Sequence, residues 1–147
     1  MSKTDVFEAA LLDLIFLNAN IANLGDATGV RGSVAAGQLF ISLHTADPGE
    51  AGTQSTNEVA YTGYSRVGRN RVSGAGGFTR TGNSISPTEN VDFGTCTAGT
   101  ATATHFGIGV AGSGAGTLLY KGPITPTIAI AAGVTPRLTT ATAVTED

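Results

Sequence analysis

Residues 100–110 read TATATHFGIGV, and their alternation decides the fold. Successive side chains of an extended strand point to opposite faces. Thr102, Thr104, Phe106, Ile108 and Val110 therefore share one side, and Ala103, His105, Gly107 and Gly109 share the other. The second side carries almost no side-chain volume. Something must lie close against it, and another backbone is the expectation.

Working outward, the same period recurs. In QLFISLHT (38–45), Leu39, Ile41 and Leu43 form an apolar face, while Phe40, Ser42 and His44 form the opposite, more polar one. YSRVGRNRV (64–72) alternates more weakly. GFTRTGNSI (77–85) predicts a hairpin turning at Gly82 and Asn83. NVDFG (90–94) sets Val91 and Phe93 on one face, AGSGAG (111–116) is a turn, and TLLYKGPI (117–124) is the next strand. TIAIAAGVTPRLTTATAV (127–144) reads as a final strand pair or one long bent strand, with Gly133 at the turn. Short strands separated by glycine-rich turns predict a mainly β fold, an antiparallel β-sandwich or jelly-roll.

One segment differs. From Asp5 to about Asn23, Phe7, Leu11, Leu14 and Ile21 recur at helical spacing, and Leu12, Ile15, Phe16 and Leu17 widen the stripe. Ser2 and Asp5 resemble a capping box, the acids Asp5 and Glu8 suit a helix N-terminus, and Gly25 suits its end. The expectation is an amphipathic α-helix in residues 1–24, followed by a single β-sandwich domain in residues 25–147. The span is too interrupted by Glu8 and Asp13 for a membrane helix, and it has no basic leader or cleavage site.

The totals narrow the function. Charged residues are 13% of the 147, against about 25% in ordinary domains, and glycine occurs 21 times. A surface so poor in charge suits a protein covered by partners, because charges are depleted from the cores of interfaces. The net charge of −3 gives nucleic-acid binding little electrostatic support. Arg66, Arg69, Arg71 and Arg80 make a modest basic cluster that reads as solvated or interface arginines. The single cysteine, Cys96, excludes an internal disulfide and reads as a small core residue.

LHTADPGE (43–50) is the one stretch that gathers chemistry: His44, Asp47 and Glu50. Asp-Pro-Gly is strong turn chemistry, with proline presetting φ and glycine allowing a positive φ. Zinc needs about four ligands, and only His105 and scattered acids remain to supply them. A calcium loop needs oxygen ligands at regular offsets, which DPGEAGTQSTNE does not give. No nucleophile elbow, phosphate loop or zincin motif occurs. The stretch therefore reads as a strand running into a structural turn. No enzyme, catalytic residue, cofactor or metal is expected, and no membrane or nucleic-acid partner.

Taken in order, LFISLHTADPGEAGTQSTNEV, GYSRV, NVDF and THFGIGVAGSGAGTLLYKG resemble a family of small bacteriophage virion proteins commonly labelled tail fibre proteins. The resemblance spans most of the chain and implies a virion location, with assembly in the host cytoplasm. A short, repeat-free chain matches a capsid cement or decoration subunit better than a long receptor-binding fibre. The expectation is thus a non-enzymatic structural protein that stabilises the shell by contact between subunits. The alternative is a tail fibre, baseplate or tail adaptor component that touches the host. Expected partners are the major capsid protein or tail proteins, and further copies of the chain, with a trimer as one option. Expected partner contacts are Phe7, Leu11, Leu14, Phe16 and Ile21 on the helix, with Arg66, Arg69 and Arg71 at the rim. If the protein meets the host, Tyr61 and Tyr64 beside the loop 46–63 are the stacking candidates.

Overall fold

A computed structural model describes residues 2–25, 29 and 32–147. The chain is mainly β, with antiparallel sheets and one α-helix at its N-terminus. The elements are α1 (Asp5–Leu17), β1 (Gln38–His44), β2 (Val67–Asn70), β3 (Phe78–Thr81), β4 (Ser84–Pro87), β5 (Val91–Asp92), β6 (Ala101–Gly109), β7 (Leu118–Ile130), β8 (Arg137–Leu138) and β9 (Val144–Thr145). They divide into two compact units: Met1–Gln38, Arg69–Asn90 and Thr139–Asp147 make one, and Leu39–Gly68 and Val91–Leu138 the other.

In the first unit, α1 packs on the hairpin β3–β4, which β9 extends to a three-stranded sheet. The hairpin turns at Gly82 and Asn83, as its sequence predicts, and Gly82 takes the positive φ of 62° that the tight turn needs. Leu12, Phe16, Phe78 and Ile85 are almost wholly buried, and the Phe16 and Phe78 rings meet edge to face with centroids 5.0 Å apart. Each such side chain contributes about 1.5–3 kcal/mol on burial.

The helix is shorter than its apolar run. It stops at Leu17, where Asn18 adopts the left-handed conformation (φ 56°) and returns its backbone N–H to the Asp13 carbonyl. Asparagine tolerates that conformation better than most residues, so the stop comes before Gly25. Thr4 occupies the N-cap without a side-chain bond, so the Ser2–Asp5 box does not form the cap. The fully buried stripe is Glu8, Leu12 and Phe16, each four residues from the next. Glu8 is accommodated because the Asn83 side-chain amide, in the hairpin turn, donates to its carboxylate at 3.3 Å. The C-terminal carbonyls of α1 are met by one arginine: Arg71 donates to the Leu14 and Ile15 carbonyls, each at 2.6 Å. A cation there also complements the negative end of the helix dipole.

The second unit is built on β1, β6 and β7, which pair in that order in one sheet, and on the short pair β5–β8. β1 and β6 pair antiparallel with Ile41 opposite Ile108, Ser42 opposite Gly107, Leu43 opposite Phe106 and His44 opposite His105. The apolar face of this pair is buried as expected, together with Val59, Tyr61, Val91, Phe93, Cys96 and Leu138. TLLYKGPI and TIAI, read separately in the sequence, belong to one 13-residue strand, β7. Gly133 (φ 88°) then turns the chain toward β8.

Candidate functional site

The chemistry-bearing residues of the second unit gather on the other face of β1 and β6, beneath the segment 45–66. Phe40, Ser42 and His44 on β1 face Gly109, Gly107 and His105 on β6. In the sequence the β1 side of this face reads as polar and the β6 side as needing a close neighbour. That neighbour is present: Ser42, His44 and Gln54 are each 0% exposed. What lies against the two glycines is chiefly side chain. A methyl group on Gly107 would come within 2.9 Å of His44 Nε2, Leu118 Cδ1 and Ser42 Oγ, and one on Gly109 within 2.6 Å of the Gln54 side chain and the Thr117 carbonyl.

Every buried group here is spent on holding that segment down. Gln54 donates to the Phe40 carbonyl (3.3 Å), accepts from the Ala111 N–H (2.9 Å), and its own backbone N–H reaches the Gly116 carbonyl (2.9 Å). His44 Nδ1 lies 2.8 Å from the Thr56 carbonyl, which can only accept, so Nδ1 carries the proton. Nε2 then accepts from the Ser42 hydroxyl at 2.8 Å. Burial lowers the His44 pKa below 6.5, against the raising effects of the Thr56 carbonyl and Glu58, while Arg66 and His105 add to the lowering. The ring is neutral at pH 7.

Serine, imidazole and an orienting acceptor in a row is the grammar of an activated nucleophile. Here both side chains sit on one strand, two residues apart, with no exposed surface through which a substrate could reach them. The arrangement ties strand to loop.

Beside it stands a second knot. Arg66 is 8% exposed and grips Glu58 with two prongs, Nε to Oε1 and Nη2 to Oε2, both at 2.7 Å. It also donates to the Ala111 (2.9 Å) and Gly114 (2.7 Å) carbonyls, and thereby fixes the turn 111–116. Tyr64 donates to Glu58 (2.8 Å) and accepts from the Leu43 N–H (3.1 Å). Burial raises the Tyr64 pKa. Asp47 makes the expected turn, accepting from the Gly49 N–H at 2.8 Å. Lys121 of β7 bridges Asp47 (3.0 Å) and Glu50 (3.1 Å) at the surface. Among the described residues, no group of three or more His, Cys, Asp and Glu side chains could hold a metal ion, and no helix is long and apolar enough to cross a membrane.

The sequence-predicted contact residues scatter. Phe16 and Ile21 are buried, whereas Phe7 is 38% exposed, and Leu11 and Leu14 are half-buried. Val6, unremarked in the sequence, is the most open apolar residue of α1 at 81%. The arginines do not form one patch. Arg66 belongs to the knot just described, Arg71 caps α1, Arg80 pairs with Asp13 (2.6 Å), and Arg69 donates to the Asn90 carbonyl (2.5 Å). Tyr61 is 8% exposed, with its hydroxyl on the Gly94 carbonyl (2.8 Å), and its ring meets Tyr64 edge to face. Tyr61 is thus buried, and Tyr64 is half-buried, with its ring stacked on that of Phe93 at a centroid distance of 6.1 Å. Gln54, Thr56 and Glu58 went unseen. The signal for them was the missing volume at Gly107 and Gly109, which demanded a close neighbour without naming it.

A protein-family model described as Podophage GP4 fiber I protein gp80 matches residues 2–145. The chain belongs to that family. No curated protein matches it. Membership makes it a phage fibre protein, a virion structural class, and agrees with the resemblance read from LHTADPGE and its companion segments. The family description speaks for the fibre alternative rather than for capsid cement.

Proposed function

We propose that this gp80-family chain is a non-enzymatic component of the podophage tail fibre apparatus, working by contact with other phage structural proteins and with further copies of itself. The observation that carries the reading is the family match over residues 2–145. The chemistry of the second unit supports it. The histidine, serine, glutamine and arginine that could have served a reaction are buried, and each is hydrogen-bonded within the fold: Ser42 to His44, His44 to the Thr56 carbonyl, Gln54 to the Phe40 and Ala111 backbone, and Arg66 to Glu58.

The candidate docking face is the outer side of α1, where Val6 and Phe7 are exposed and Leu11 and Leu14 half-buried. A helix apolar on more than its inward stripe gains from being covered. Burying that surface would supply about 25 cal/mol per Å² before the entropy of association is subtracted. For host contact, the candidate surface is the exposed rim of the segment 45–63, including Thr45, Asp47, Glu50 and Asn57, rather than the rings of Tyr61 and Tyr64.

Antibody or gold labelling of intact particles tests the assignment. Label at the tail is the expected result. Label spread over the capsid shell would instead establish the cement role.

A further inference from the structure

We propose that His44 is an acid-sensitive latch: protonation of its imidazole releases residues 53–58 from the β1–β6 face. The latch is a property of the folded chain alone and does not depend on the fibre assignment.

Three observations place it. First, the neutral ring is the only form that satisfies both neighbours as they stand, donating from Nδ1 to the Thr56 carbonyl and accepting at Nε2 from Ser42. Second, His44 is 0% exposed, so an added proton creates a charge with no water to solvate it. Third, one bond of the latch is to the loop itself, so opening the loop is the motion that hydrates the ring.

The hydrogen bonds can rearrange without breaking. Ser42 Oγ also lies 3.4 Å from the Gly107 carbonyl. On protonation, Nε2–H donates to Ser42 Oγ and the hydroxyl proton turns to Gly107. The unfavourable part is the charge. The groups nearby that oppose a positive charge on His44 are Arg66 from the loop and His105 opposite it on β6, and Lys121 stands opposite Gly107 on β7. On the acidic side, Glu58 is already bound by Arg66 and Tyr64, and Asp47 and Glu50 are engaged by Lys121.

Burial lowers the His44 pKa in the closed state, so the opened state binds more protons. Closure is therefore fully favoured above the ordinary value near 6.5 and weakens as pH falls from there toward the closed-state value. One proton taken up on opening makes the open population rise about tenfold per pH unit across that window.

The test is amide hydrogen exchange of residues 53–58 on the isolated chain between pH 8 and pH 5, corrected for intrinsic rates. It is paired with nitrogen-detected titration of the imidazoles. The expected result is an Nδ1–H tautomer for His44 at pH 8, titration of its ring below 6.5, and a fall of about tenfold per pH unit in loop protection that tracks that ring. His44→Asn keeps a donor toward Thr56 but cannot titrate, so its loop protection should be flat over the range. A His44 ring that stays neutral to pH 5 beside an acid-opened loop, or equal acid opening in His44→Asn, would overturn the proposal. So would loss of the response in His105→Gln with His44 still titrating. If His44→Asn does not fold, the wild-type ring and loop titrations decide the matter together: coincident curves support the latch, and separate curves dismiss it.

Discussion

Arg66 and Glu58 face each other through two parallel hydrogen bonds of 2.7 Å, with the guanidinium almost wholly withdrawn from water. The fork geometry of arginine suits a carboxylate in this way, and lysine would not reproduce it. Glu58 belongs to the segment that covers the sheet, and Arg66 also holds the turn 111–116 through two carbonyls. One side chain thus fixes two loops.

Truncating it leaves Glu58 without its cation and two carbonyls without their donor. Arg66→Ala should therefore lower stability by about 3–5 kcal/mol, the cost of breaking one half of a buried pair. Arg66→Lys should recover only part of the loss. Chemical denaturation of the purified chain measures both, and an Arg66→Ala loss below about 1 kcal/mol would match a surface pair instead.

Gly107 should tolerate no side chain. Its neighbours, the Ser42 hydroxyl, the His44 ring and Leu118, sit within 2.9 Å of where a methyl group would be. Gly107→Ala is expected to cost about 1–3 kcal/mol by overpacking, and to perturb the His44 ring resonances. Gly114→Ala is a different case, because open space surrounds it and only its positive φ of 72° opposes the change. It should cost less, with no effect on His44.

The two sides of α1 should separate cleanly. Phe16→Ala removes a ring packed on Phe78 and should lower stability by about 3–5 kcal/mol. Val6→Ser with Phe7→Ser alters the more exposed side and should lower stability much less than Phe16→Ala, because Val6 is 81% and Phe7 38% exposed. On the proposed function, that double variant fails to enter particles. Normal incorporation would exclude the outer side of α1 as the docking face. Deleting residues 1–24 is a poorer probe, because it also strips Arg71, Arg80 and Asn83 of their helix partners.

Tyr64 should behave as a structural residue. Tyr64→Phe takes a donor from Glu58 and an acceptor from the Leu43 N–H, and should cost about 1–3 kcal/mol. If the ring also stacks on a host ligand, Tyr64→Phe keeps that ring and should retain binding, whereas Tyr64→Ala loses both. A cell-binding assay beside a melting curve distinguishes the two roles.

Sequence alone determined the local geometry. Alternation fixed β1 and β6, Gly82-Asn83 fixed the hairpin, Asp-Pro-Gly fixed the turn after β1, and helical spacing announced α1. These are short-range matters, settled by sterics and by the period of side chains along a chain. The sequence also showed that Gly107 and Gly109 needed a close neighbour, because absent volume is visible in one dimension.

Which neighbour came was decided by the tertiary structure. Gln54 and Thr56 are more than 50 residues from Gly107, and no local rule links them to it. The same holds for α1. Its apolar residues surround the axis, so spacing could not choose the inward stripe. The choice fell to Glu8, Leu12 and Phe16 because Asn83 could satisfy the carboxylate and Phe78 could take the ring. Burial depends on what arrives from elsewhere in the chain, and so a polar face could become an interior one while a part of an apolar face stayed open.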